Sequence, residues 1–245
     1  MIQVRTSPAV DIQKSEIFNS FTHLIGAIAG AVITVIYIRA SVNIDRSLMI
    51  SVGLTGFSYI FLFSSSFMHH ANKVDENQKS IWLILDHCAI FVMIAGSYIG
   101  PMYIFASGGL LWGVLAAVWL FAAVGIIFKL KFPVSPNWIN VAIYAPLAVI
   151  SVIPMAILWN SVDSIPVRLV PIPFLKSLLV AGLVLYGIGG VIYAGKRPDP
   201  KPEIIGFHGI FHLCILAGAG LHALALYYSI KAYPVIREFL VKAAG

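Results

Sequence analysis

Seven apolar stretches, each close to the length of a membrane crossing, dominate this chain of 245 residues. A helix needs about 20 mostly apolar residues to span the hydrocarbon core of a bilayer. The stretches run from Ile17 to Ile38, Leu48 to Met68, Ile81 to Phe105, Gly109 to Phe128, Trp138 to Trp159, Phe174 to Ala194 and Phe207 to Ile230. Between them stand charged or turn-forming breaks: Asn43-Ile44-Asp45-Arg46, Lys73 to Lys79, Lys129 to Pro136, Ser161 to Pro173 and Lys196 to Pro202. Lipid offers the backbone no hydrogen bonds, so each segment must satisfy its own amides as a helix. Pro146 and Pro154 in the fifth segment are tolerated there because neighbouring helices re-satisfy the freed groups. The pattern predicts an all-α integral membrane protein, a seven-helix transmembrane bundle forming one domain over residues 1–245.

Composition narrows the function. Hydrophobic residues make up 60% of the chain and charged residues 11%, against about 25% charged in a soluble domain. No polar region is long enough for an additional soluble domain. The net charge of +6 is spread over short loops, which suits an anionic membrane surface. It forms no dense basic patch, so no nucleic-acid partner is expected. The expected partners are membrane lipids, and the expected location is a cell membrane crossed several times, as in a bacterial inner membrane. Cys88 and Cys214 lie inside apolar segments and make no disulfide framework. Arg5, Asp11 and Lys14 precede the first segment without an apolar signal region, so that segment is expected to insert and stay.

Lysine and arginine set the orientation. A cytoplasmic N-terminus puts Arg5, Lys14, Lys73, Lys79, Lys129, Lys131, Lys196, Arg197 and Lys201 inside. Arg39, Arg46, Arg168, Lys176, Lys231, Arg237 and Lys242 then lie outside. The excess of inside cations, larger once the termini are dropped, favours a cytoplasmic N-terminus and an external C-terminus. Small residues such as Gly26 with Gly30, Gly187 with Gly190, and Ala217, Ala219 and Gly220 allow close helix contact in lipid, which is ordinary bundle packing.

The same serpentine gathers the histidines. His208 and His212, four apart, project from one face of the seventh segment. Glu16, Asn19 and His23 open the first segment. Ser65, His69 and His70 close the second, and Asp86 and His87 open the third. All these ends share one membrane face, which collects six of the seven histidines. Imidazole suits zinc, copper, iron or nickel, and three protein ligands plus water is the usual catalytic zinc pattern. His208 and His212 supply two ligands, and His69 or His70 is placed to supply the third. Asp86 can serve as a fourth ligand or hold the metal-bound water. Ionisable side chains at membrane depth are costly and usually functional, which applies to Asp86 in its apolar surroundings. Blander roles exist for the others. His70 and His87 suit interfacial packing, and His23 either lines the cavity or anchors a helix start. Ser65, within Ser64-Ser65-Ser66, can bond back to helix carbonyls. A haem reading uses His208 and His222, fourteen residues apart, but no histidine on another segment lies at the depth of His222.

The combined set resembles the haemolysin III branch of the progestin and adiponectin receptor (PAQR) family, of prokaryotic type. It comprises Glu16-x2-Asn19-x3-His23, Ser65-x3-His69, Leu85-Asp86-His87-x-Ala89-Ile90 leading to Ala95-Gly96-Ser97-Tyr98, and His208-x3-His212. The resemblance extends from about Glu16 to Tyr228. Met68 stands where relatives carry an aromatic residue. The resemblance implies a seven-helix bundle with its N-terminus in the cytoplasm and a zinc ion held by His69, His208 and His212. The seventeen-residue step from His69 to Asp86 matches the family and selects His69 over His70. It further implies that Asp86 orients a zinc-bound water with Ser65 beside it. Glu16, Asn19 and His23, spaced along one face of the first helix, are expected to stand behind the ligands. The wider superfamily is linked to hydrolysis of lipid amides such as ceramide, and haemolysin III members to membrane lipid or fluidity homeostasis. Two functions follow: a zinc-dependent hydrolase of lipid amides or esters, or a non-enzymatic membrane sensor or receptor whose zinc is structural.

Overall fold

Apolar side chains cover the outside of the molecule instead of filling it. On the first helix Ile17, Phe21, Ile28, Val32 and Val35 are exposed, and on later helices Leu120, Val124, Ile127, Val184, Ile188 and Val191 are too. Their spacing of three, four or seven residues marks one face of each helix, the face turned to lipid. The computed structural model describes residues 8–73, 80–158, 163, 165 and 171–244. Arg5, Lys79, Trp159 and Arg168, used above in the charge tally and the segment boundaries, lie outside the described residues.

Eight helical segments follow one another: α1 (Pro8–Ser41), α2 (Arg46–Ala71), α3 (Ile81–Ser97), α4 (Ile99–Phe105), α5 (Gly108–Lys131), α6 (Asn137–Leu158), α7 (Ile172–Gly195) and α8 (Phe207–Ala244). The described residues are otherwise turns and loops, with one isolated bridge between Lys201 and Ile205. Six spans are long and apolar enough to cross a membrane, with α3 and α4 counted as one. The apolar α6, of 22 residues, makes the seventh crossing. The chain is thus an all-helical, multi-pass membrane protein.

Three differences from the sequence expectation exceed a helical turn or break a span, each for a physical reason. First, α1 begins at Pro8, because a helix can continue through the polar run before Ile17 that a search for apolar residues passes over. Second, the third crossing is two helices. Pro101 has no N–H to return to Ser97, and the helix breaks at Tyr98. Thr55 of α2 splices the break. Its hydroxyl donates to the Gly96 carbonyl at 2.8 Å and accepts from the Gly100 N–H at 3.0 Å. Third, α8 runs to Ala244 through Pro234. Ile230, Tyr233 and Ile236 are buried there against Tyr37 of α1, Leu48 and Val52 of α2, and Ile104 of α4. That packing outweighs the lost backbone bond.

The crossings close into a ring. In turn, α1 packs on α2, α2 on α3, α3 on α5, α5 on α6, α6 on α7, α7 on α8, and α8 back on α1. Glycine lets a close seam form between α1 and α2. A Cβ at Gly26 would lie 2.7 Å from the Phe63 ring, so only glycine allows α1 so near α2 there. At the far end, α4 packs on both α2 and α8 and forms a floor. Tyr37 Oη donates to the Ala223 carbonyl at 2.8 Å across the α1–α8 seam. The ring encloses a cavity of about 840 Å³.

Candidate metal centre

The cavity mouth lies where the end of α2, the start of α3 and the α5–α6 and α7–α8 connections meet the start of α1. There the helix ends bring the histidines together, as the serpentine predicted. Local sequence sets each position. Ser80 caps α3 by accepting the Leu83 N–H at 3.2 Å, which fixes the turn carrying Asp86 and His87. Asp199 accepts the Phe207 N–H at 2.8 Å and thereby fixes the start of α8 next to His208. An acidic group at that N-terminus is also favoured by the helix dipole.

The rings pack closely. His208 and His212 have centroids 4.6 Å apart, and His70 lies 4.7 Å from His212 and 5.2 Å from His208. His23 of α1 stacks on His212 at 3.8 Å. Two ligand groups follow, each with one candidate atom per residue and those atoms within 4.8 Å of one another: His70 with His208 and His212, and His69 with His70 and Asp86. Both share His70. The alternative raised for it, interfacial packing, does not describe a buried ring bonded through Nδ1 to the Glu16 carboxylate.

The sequence residues are therefore distributed as follows. His208 and His212 lie in one group, and His69 and Asp86 in the other, with His70 linking them. Successive residues of a helix point about 100° apart, so the two α2 histidines share Asp86 as a neighbour but differ in their other partners. His70 turns to α1 and α8, and His69 turns to Asp86 on α3. Glu16, Asn19 and His23 all border the cavity. Ser65 is buried but is not among the cavity-lining residues, whereas its neighbour Ser66 lines the cavity beside the Asp86 carboxylate. His87 also lines it, with its Nδ1–H donating to the Pro133 carbonyl at 3.1 Å.

The nitrogens of this cluster are poorly satisfied. His70 Nε2, His212 Nδ1 and both nitrogens of His23 are buried without a hydrogen-bond partner among the described residues. A buried polar atom left unpaired costs about 1–3 kcal/mol. These atoms belong to three rings packed on one another, and such a set fits a metal ion and its water, since each neutral imidazole offers one lone pair. Glu16 supplies what a metal-binding histidine usually has behind it. Its carboxylate accepts from His70 Nδ1 and so directs the Nε2 lone pair toward α8. Lys73 holds the other Glu16 oxygen at 2.8 Å. The role of Lys73 escaped sequence reading, although its spacing of three from His70 was available as a signal. Lys129, expected as a loop cation, is instead fully buried and donates to Ser135 Oγ at 2.7 Å and to Asn140 Oδ1.

A seven-crossing ring with a histidine and aspartate cluster at one end defines a polytopic membrane protein with a candidate metal centre. Comparison with known proteins then places it more closely. The family model described as "Haemolysin-III related" matches residues 12–223. The chain is 29% identical over 209 residues to "Hemolysin-3" of Bacillus cereus, covering 85% of this chain and 88% of that protein. It is 30% identical over 224 residues to the "Hemolysin-3 homolog" of Bacillus subtilis, covering 89% and 96%. The chain belongs to the haemolysin-III-related family.

Proposed function

We propose that this protein is a zinc-dependent intramembrane hydrolase of lipid amides or esters, acting in membrane lipid homeostasis. The observation that carries the reading is the cluster itself. Unpaired imidazole nitrogens and Asp86 stand at the mouth of a cavity that is mostly apolar below them. His208 and His212 would hold the ion with one of the α2 histidines, His69 as the family resemblance implies or His70 as the ring packing favours. When bound, zinc makes hydroxide available near neutral pH and polarises a carbonyl. Asp86 takes the proton as general base, and Ser66 hydrogen-bonds its carboxylate. Ile90, Met93, Ile94 and Ile215 hold the acyl chain and keep bulk water from the reacting carbonyl. The N-terminus is in the cytoplasm, which puts this mouth at the cytoplasmic edge of the bilayer.

One observation favours a second reading. Asp86 lies within ligand distance of His69 and His70. If it binds the ion directly the coordination sphere closes, and the protein is a sensor or receptor with a structural metal. Lipid turnover by purified protein separates the two. The hydrolase reading expects wild-type protein to release fatty acid from an amide or ester lipid, and Asp86→Ala to lose at least a hundredfold while retaining its metal. Undiminished turnover in Asp86→Ala rules out the assigned base.

A further inference from the structure

His222 is the seventh histidine, and the metal centre does not use it. It lies ten residues beyond His212 on α8, about 15 Å deeper at 1.5 Å rise per residue. It lines the same cavity among apolar side chains near the middle of the bilayer. An ionisable side chain at that depth normally has a role.

Its chemistry is fixed by one contact. Nε2 lies 3.0 Å from the Leu179 carbonyl of α7. A carbonyl only accepts, so Nε2 carries the hydrogen and the neutral ring presents Nδ1 as a bare acceptor. Nδ1 has no partner among the described residues. Tyr186 of α7 stands edge-on to this ring, with centroids 5.2 Å apart, and its hydroxyl also lacks a partner among them while lining the cavity. The niche is built for these rings. A Cβ at Gly182 would collide with the His222 imidazole, and one at Gly218 would lie 2.7 Å from the Tyr186 ring. Leu183 and Ile94 make the neighbouring wall apolar.

We infer that His222 and Tyr186 form a hydroxyl-binding subsite deep in the cavity, selecting chain-like ligands that carry a hydroxyl far from the head group. The hydroxyl donates to His222 Nδ1 and accepts from Tyr186 Oη. The distance from His212, about 15 Å, is the reach of an extended dodecanoyl chain. The inference rests on reading the cavity as a lipid site, but needs neither a bound metal nor turnover.

The test compares dodecanoate with its ω-hydroxy counterpart by isothermal titration against protein in nanodiscs, with empty nanodiscs subtracted. Wild type is expected to bind the hydroxylated chain about tenfold more tightly, the effect of one or two net hydrogen bonds. His222→Phe should abolish that preference and leave dodecanoate binding unchanged. Tyr186→Phe should reduce it, and His222→Gln should restore part of it. Should His222→Phe fail to fold, Tyr186→Phe still decides. Dodecanoate binding without any preference in wild type overturns the subsite and leaves the lipid cavity standing, with His222 serving only to tie α8 to α7. Failure of both probes to bind overturns both.

Discussion

At the residue scale, the distinction between neighbours in sequence decides the site. His69 and His70 are adjacent, yet His70 bonds Glu16 and packs against His208 and His212 while His69 faces Asp86. If Glu16 orients His70 toward the ion, Glu16→Gln should weaken metal affinity by about 10–100-fold, as read by competition with a chelating dye. Unchanged affinity would show that His70 stands outside the coordination sphere. The residues of the cluster were legible in the sequence, because ionisable side chains are sparse in so apolar a chain and the serpentine puts their helix ends on one face. Which of two adjacent side chains points inward was not. That depends on the rotation of α2 about its axis, which is set by packing such as Gly26 against Phe63. Ser65 and Ser66 show the same effect. Both are buried, but only Ser66 borders the cavity.

At the element scale, helix length followed from hydropathy, but ends and breaks followed from contacts. The α3–α4 break depends on Pro101 and on a hydroxyl from another helix. Thr55→Val keeps the shape of the side chain and leaves the buried Gly100 N–H unpaired. It should cost about 1–3 kcal/mol, measured by denaturant unfolding in detergent. Gly26→Leu should cost a similar amount, about 1–3 kcal/mol, by forcing α1 from α2, and it should also disturb His23 and so lower metal occupancy. The extension of α8 beyond Pro234 had no sequence signal of its own. It becomes visible only when Tyr37, Leu48 and Ile104 are seen packed around Ile230 and Ile236.

At the scale of the whole molecule, the closed ring turns a sequence of spans into a vessel with a polar mouth and an apolar interior. Membrane helices gain nothing from hiding apolar surface from lipid, so this closure rests on tight seams and on bonds such as Tyr37 to Ala223. The cavity could not be inferred from segment order alone, since the same seven crossings can pack without a central space. Orientation is tested by accessibility. In a chain with Cys88 and Cys214 replaced, Asn43→Cys should react with an impermeant maleimide in intact cells, and Lys201→Cys should react only after lysis. The reverse pattern would place the N-terminus and the histidine cluster outside. Zinc content most directly tests the central claim that this cluster is a metal centre. Protein purified without added metal and exhaustively desalted is expected to carry about one zinc per chain by plasma mass spectrometry, and His212→Ala almost none. A wild-type protein free of metal, or a His212→Ala protein that keeps its full complement, would contradict it.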